Sequence, residues 1–312
     1  MKLLAIPTEV ENDIFKSINY SRAQLMMDLQ MLKKWLATQD HLPSCKFSEN
    51  DNFFYSYLIS CKGSLEMCKK KIDAYYTSRR KHLDSFGIID PLKACITQCR
   101  EYLDVFSLPQ PTPDGSRISL VRLKNSSLEI YDFLATIQVM LLIMEHKLRM
   151  EGITNGDYYI LDAKPGYTPA HILRINASVV KDTMIYLSNV LPWRVRGLIF
   201  INAPSYVEIA VNTFFKPFLK KKIRERITVT EEGTTLLHRL FPAKILPKDY
   251  GGESPSCEEL TSAWMDKIEA ERDWYLQHCT PTTEESKRIE NDCSNKNPIF
   301  GVHGSLKKLC ID

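Results

Sequence analysis

Residues 152–252 constrain this chain most, because hydrophobic period, proline and glycine punctuation and charge change there together in a repeating strand–helix order. Residues 157–161 (Asp-Tyr-Tyr-Ile-Leu) and 197–202 (Gly-Leu-Ile-Phe-Ile-Asn) are short runs of β-branched and aromatic side chains bounded by turn formers, as buried strands are. Between them, residues 176–190 predict a helix. Asn176 or Ser178 can cap its first turn, Val179, Val180, Met184, Leu187 and Leu191 recur at helical spacing, and Pro192 ends it. A second helix begins after Pro204, carries Val207, Ile209, Val211, Phe214 and Phe215, and leads into a third strand at 227–229. Strands alternating with helices of this length require right-handed crossovers, so the chain is predicted to be an α/β protein with a mainly parallel sheet.

The flanks read differently. Residues 12–82 predict helices only: Leu25, Leu29, Leu32 and Leu36 form one apolar stripe with Lys33 and Lys34 off it, Ser48 with Asp51 marks the start of a helix over 52–60, and Ser64 can cap another through Ile72, Tyr75 and Tyr76. Residues 88–115, broken by Pro91, Pro109, Pro111 and Pro113, read as a boundary around one short helix, which makes residues 117–123 the first strand of the sheet. Residues 128–148 predict a helix whose middle, 133–144, is apolar on nearly every face, with only Thr136 and Gln138 polar. Such a helix is either buried on all sides or lines something apolar, and its residues alone leave both open. Beyond it, Ser254 or Ser256 starts a helix carrying Leu260, Trp264, Ile268 and Tyr275 that ends near Pro281. A polar, extended stretch over 282–297 follows, and Phe300, Leu306, Leu309 and Ile311 bring the last segment back onto the body. The organisation is therefore a helical bundle over 1–87, an α/β unit over 88–255 and a C-terminal helix with a tail over 256–312.

Composition mostly excludes. A net charge of +3 gives no whole-molecule field for nucleic acid. Nine cysteines without paired CxxC spacing, and an N-terminal Leu3-Leu-Ala-Ile6 halted by Pro7, point to reduced thiols in a cytoplasmic monomer. The longest apolar stretch is about a dozen residues where a membrane span needs about twenty. There is no glycine-rich phosphate loop, HExxH or GxSxG, and Cys95 with Cys99 lack histidine partners for zinc. His171 stands near Asp162 and Lys164, but no nucleophile accompanies it, so a capping or surface histidine is the better reading than an acid–base pair. No catalytic residue, metal or cofactor is expected, and the chain is not read as an enzyme.

Four motifs occur in fixed order: Leu191-Pro-Trp-Arg-Val-Arg-Gly197, Ile201-Asn-Ala-Pro204, Lys216-Pro-Phe-Leu-Lys-Lys-Lys-Ile-Arg-Glu-Arg-Ile227 and Ile245-Leu-Pro-Lys-Asp-Tyr-Gly-Gly252. On these the chain resembles the CRAL-TRIO lipid-transfer family, and within it the α-tocopherol transfer and retinaldehyde-binding branch. The closing residues 300–312 are similar to the tail of insect members. The resemblance implies a CRAL-TRIO fold, in which a mainly parallel sheet is the floor and helices form the rest of a lipid cavity, preceded by a small all-helical bundle. It also implies a carrier for a tocopherol-, retinoid-, carotenoid- or similar lipid that docks peripherally on phosphoinositide-containing membranes.

Strand pleating puts Tyr159 with Leu161, and Leu198 with Phe200, on common sides, and the resemblance places both pairs toward the cavity. Ile137, Met140, Tyr186, Val211, Phe214 and Phe215 are the helical residues expected to close it. The side chains alone favour a filled core, hence a membrane-sensing or interaction module that transports nothing. Thr136, Gln138 and the Tyr159 hydroxyl are available to orient one polar group. The helix after Asn202 matches the family's lid, with Pro217 as its interruption.

From 216 to 226 there are six basic residues against the single acid Glu225. Lys222 and Arg226, four apart, are predicted on one helical face, and Arg194 and Arg196, two apart, can point the same way. A basic run is often only a solvated face. The resemblance matches these four residues to positions that bind phosphatidylinositol bisphosphate. One family arginine is missing, since Ile59 stands in its place, and Gly63 replaces a common Phe. Weaker or less selective headgroup binding is the expected result.

Overall fold

The periodicity over residues 12–82 produces, among the described residues, four helices, α1 (Thr8–Ser17), α2 (Arg22–Ala37), α3 (Asp51–Ser60) and α4 (Leu65–Lys81). The computed structural model describes residues 2–43, 50–81, 87, 89–164, 166–278 and 283–288. In it the stripe Leu25, Leu29, Leu32 and Leu36 is buried, with α2 packed on α3 and α4. The Ser21 hydroxyl caps α2 by accepting the Gln24 N–H at 3.0 Å. Asn50, whose side chain accepts from Asn52 N, caps α3; Ser48, expected in that role, lies outside the described residues. The turn from α3 to α4 runs through two successive left-handed residues, Lys62 (φ 54°) and Gly63 (φ 75°). A β-carbon at Gly63 would come within 2.7 Å of the Tyr20 ring, so glycine in place of the common Phe is what this turn requires.

Among the described residues five strands, β1 (Leu103–Ser107), β2 (Arg117–Leu123), β3 (Asp157–Asp162), β4 (Val195–Ile201) and β5 (Ile227–Val229), lie in the order β1-β2-β3-β4-β5. β2 to β5 are parallel, as predicted, and β1 is antiparallel to β2. β1 corrects the reading of residues 88–115 as a boundary with one short helix: two one-turn helices, Ala94–Thr97 and Cys99–Tyr102, run directly into it, so the 117–123 strand is second in the sheet. Every residue of β1 is buried, so the alternation that would announce a half-exposed strand is absent.

The long apolar helix spans Phe133–Met150 with Asp132 as its N-cap. α4 is pinned to it by a buried ion pair between Arg79 and Glu145, whose other oxygen accepts the Tyr75 hydroxyl at 2.7 Å. On β1 lies the C-terminal helix Cys257–Ala270, begun by a capping box in which Ser256 N donates to Glu259 at 2.7 Å and Glu259 N to the Ser256 hydroxyl at 3.2 Å. Trp264, wholly buried, donates its indole N–H to the Ser107 carbonyl at 2.8 Å, and the Thr261 hydroxyl accepts from Val105 N at 3.0 Å. The helix breaks at Glu271, and a second one covers Arg272–His278. Residues 283–288 correct the extended reading: Glu285–Lys287 is a short helical turn laid on the N-terminal bundle, where Arg288 pairs with Asp73 at 2.7 Å. The rest of the predicted extended stretch and the closing segment 300–312 lie outside the described residues.

His146, ringed by Trp264 and Glu271, is pushed down to about 4, first by burial. An unfolded histidine binds its proton near pH 6.5, so the unfolded state gains protons first as pH falls. Stability should therefore drop between pH 6.5 and 4, with a slope approaching about 1.4 kcal/mol per pH unit. Urea midpoints measured across that window should fall, and His146→Gln should flatten the slope above pH 5.

Candidate functional site

Parallel strands in register bring paired residues onto one face of the sheet. Ser119, Tyr159, Leu198 and Ile227 form one row across β2 to β5, and Val121, Leu161, Phe200 and Val229 the next. Over these rows the helix Phe133–Met150 presents Phe133, Ile137, Met140 and Met144, spaced i, i+4, i+7, i+11 on a single face. The helix Ala177–Asn189 closes one side with Thr183, Met184 and Leu187. Val207, Ala210, Val211 and Phe215, in the segment after Asn202, close another.

These surfaces line a cavity of about 180 Å³, counted as the space open to the centre of a water-sized sphere. One water needs about 10–15 Å³ on that measure, and packed cores have few voids larger than one water. The space is therefore a chamber, and it explains a burial pattern: Tyr159, Leu161 and Leu198 are part-exposed, whereas Ile160 and Ile199, one residue along, are buried. The wall is hydrocarbon and aromatic apart from Ser119, Thr136, Thr183 and the tyrosine and tryptophan tips.

Of the residues predicted to line it, Ile137, Met140, Tyr159, Leu161, Leu198, Phe200, Val211 and Phe215 do so, and Tyr186 and Phe214 do not. Tyr186 is two positions, about 200°, past Met184 on its helix. It is buried on the far side, beside a gap bordered by Arg79, Leu141, Leu142, Glu145 and Tyr275. Phe214 is displaced because the lid is not a continuous α-helix: an α-helical Ser205–Ala210 widens into a π turn at Val211–Phe215 and tightens to a 3-10 turn at Lys216–Phe218, where Pro217 interrupts it. The wider turn brings Phe215 into the chamber, 6.3 Å from the Phe200 ring centroid, and leaves Phe214 part-buried against the main core. Gln138 is also off the lining, and Thr136 donates its hydroxyl back to the Asp132 carbonyl at 2.9 Å. Sequence reasoning did not assign Ser119, Val121, Thr183, Met184 and Leu187 to the lining. Strand alternation carried the first pair, and the helical stripe carried the last two.

His171 is a capping residue: its Nδ1 accepts from Thr168 N at 3.2 Å at the start of the helix Pro169–Leu173. Among the described residues no three His, Cys, Asp or Glu side chains gather as metal ligands would.

The four predicted basic residues gather on the outside, where β4 begins and β5 is about to. The helix Lys221–Arg224 is a single turn, so Lys222 and Arg226 do not share an α-helical face as predicted; the chain bends after Arg224 and brings Arg226 back. Arg226 donates to the Val195 carbonyl, and Arg196 pairs with Asp114 at 3.2 Å. Arg194 is held below its usual value first by burial and then by the charges of Arg196 and Arg226. Beside them a smaller pocket of about 70 Å³ opens between α3, through Ser56, Ile59 and Ser60, and the run Leu191–Arg194. Met144, Tyr159 and Trp193 border both this pocket and the chamber. Ile59 is buried in its wall.

A family model described as the CRAL/TRIO domain matches residues 103–252, and one described as a Pinta-like UBA domain matches residues 21–96, over the helical bundle. The human α-tocopherol transfer protein-like protein is 23% identical over 257 residues, covering 82% of this chain and 73% of its own. Human clavesin-2 is 25% identical over 240 residues, covering 76% and 72%. The solved structure of Sfh5 aligns with 87% of this chain and 99% of its own, at a TM-score of 0.47 and 14% identity. With the sheet, the chamber and the family model in agreement, residues 103–252 are a CRAL-TRIO domain.

Proposed function

We propose that this protein is a carrier that holds one hydrophobic small molecule in the chamber and exchanges it with membranes bearing phosphoinositides. The chamber carries the reading, because a void this large with so apolar a wall is costly to keep empty, and an apolar ligand would gain roughly 25 cal/mol for each Å² it buries. That space also favours a carrier over a module with a filled cavity. Family relatives named for tocopherol transfer fit a long or fused-ring cargo. The lid and its neighbour expose Ile209 (64%) and Leu173 (87%) on adjoining helices, which suits insertion into the interfacial layer of a membrane. No helix among the described residues is long and apolar enough to span one. Arg194, Arg196, Lys222 and Arg226 would then hold the headgroup, on a monomer working at the cytoplasmic face.

Organic extraction of the purified protein, followed by mass spectrometry, should recover about one lipid per chain; an empty extract from protein that also takes up no lipid from detergent would leave the filled module. For the basic cluster, Lys222→Ala with Arg226→Ala should weaken binding to vesicles containing bisphosphorylated phosphatidylinositol far more than to phosphatidylserine vesicles of matched charge. Clustered phosphates accept several charge-assisted hydrogen bonds at once, whereas a diffuse anionic surface contributes only about 1 kcal/mol per basic residue. Equal losses on both would reduce the cluster to general electrostatics.

A further inference from the structure

We infer that Lys62, in the turn between α3 and α4, is a headgroup-binding residue that completes the cluster of Arg194, Lys222 and Arg226 from the side of the N-terminal bundle, for a lipid headgroup carrying clustered phosphates. This rests on the phosphoinositide reading above and adds to it a residue at a position that reading does not use.

The bundle forms one wall of the small pocket, and Arg194 forms part of the other. The Nη1 of Arg194 is buried without a hydrogen-bond partner, an unsatisfied donor on a residue of that wall. The bundle residue expected to supply a cation, Ile59, is apolar and faces inward. Three residues on, α3 has ended and the chain turns outward at Lys62. Lys222 comes close enough that its ammonium is held below its usual value first by the charge of Lys62, then by that of Arg226. Two lysines from parts of the chain 160 positions apart thus face each other, and among the described residues neither has a carboxylate in an ion pair. Like charges held together at no benefit to the fold are what a polyanion site looks like when nothing is bound.

Two further features fix the arrangement. Lys62 adopts φ 54° just past the end of α3, and the Gly63 N–H donates back to the Leu58 carbonyl at 2.8 Å, so the capping turn fixes where Lys62 leaves the bundle. Lys71, nearly two turns into α4, donates to the carbonyls of Ser188 at 3.0 Å and Leu191 at 2.6 Å. It thereby ties the bundle to the start of the run that carries Arg194.

Glycine suits φ 54° better than lysine does, so Lys62→Gly removes the charge without threatening the turn. Its melting temperature should equal or exceed that of the parent chain. In vesicle co-sedimentation, Lys62→Gly should lose about tenfold in partitioning to phosphatidylcholine vesicles doped with bisphosphorylated phosphatidylinositol. On phosphatidylserine vesicles of matched charge the loss should stay below about fivefold. Lys62→Arg should retain the binding. Equal losses on the two vesicle types, or none on the phosphoinositide, would overturn the assignment. The Lys222→Ala, Arg226→Ala variant measured beside it separates the two failures: if that variant loses phosphoinositide binding and Lys62→Gly keeps it, Lys62 alone is wrong, and if neither loses it the headgroup site itself is wrong. Soluble inositol trisphosphate binding the chain without vesicles as tightly as the vesicles do, with the same dependence on Lys62, would make a free polyphosphate the ligand and overturn the lipid assignment.

Discussion

Leu161→Trp should remove most of the protein's capacity for a long apolar ligand and leave it folded. Leu161 sits in the middle of the chamber floor, between Val121 and Phe200 in its row, under the face of the long helix that carries Ile137 and Met140. In a filled core an extra ring has nowhere to go, and overpacking costs about 1–3 kcal/mol. Here the indole would extend into the 180 Å³ of open space and bury its own apolar surface, so the urea midpoint should hold or rise while ligand uptake falls. Leu198→Trp, one strand along and one row away, tests the same space from a second position. The two readouts together decide: a destabilised variant would mean that the space is filled, and a stable variant with full uptake would mean that the ligand binds elsewhere.

Arg79→Met should be the most damaging single change for stability, lowering it by about 3–5 kcal/mol as measured by urea unfolding. Both partners of the Arg79–Glu145 pair are nearly inaccessible, at 3% and 8%, and the guanidinium lies 4.1 Å from the centroid of the Tyr75 ring. Removing the arginine strands a buried carboxylate on the helix that lines the chamber. Arg79→Met combined with Glu145→Leu should recover most of the loss, since an apolar pair avoids the desolvation that the ion pair must offset. A loss below about 1 kcal/mol for the single change would show that water reaches the pair.

Period and register made much of this legible. The alternation in β3 and β4 is enough to put Tyr159 with Leu161 and Leu198 with Phe200, because a parallel sheet repeats every two residues and covers both faces. The long helix is ambiguous from composition, since an apolar girdle fits a buried helix and a chamber wall alike; only packing separates the face at 133, 137, 140 and 144 from the face at 135, 139 and 142. Phe214 escaped because a π turn has no reliable sequence signal, and one extra residue per turn rotates everything after it. β1 was hidden because a fully buried strand five residues long has neither period nor punctuation of its own. Lys62 could not be singled out: left-handed lysine is a backbone fact, and its nearness to Lys222 depends on how the bundle docks.

The matched domain ends at residue 252, but the sheet does not finish there. The outer edge of β1, the strand at residue 103, is closed by groups that come more than 150 residues later, at Thr261 and Trp264. During synthesis that edge stays open until the C-terminal helix has emerged, and an open edge is a template for another chain. The domain boundary seen in sequence is therefore not a folding boundary. A newly made molecule is most exposed to mispairing late in translation, and a protease cut near 252 would return a finished one to that state.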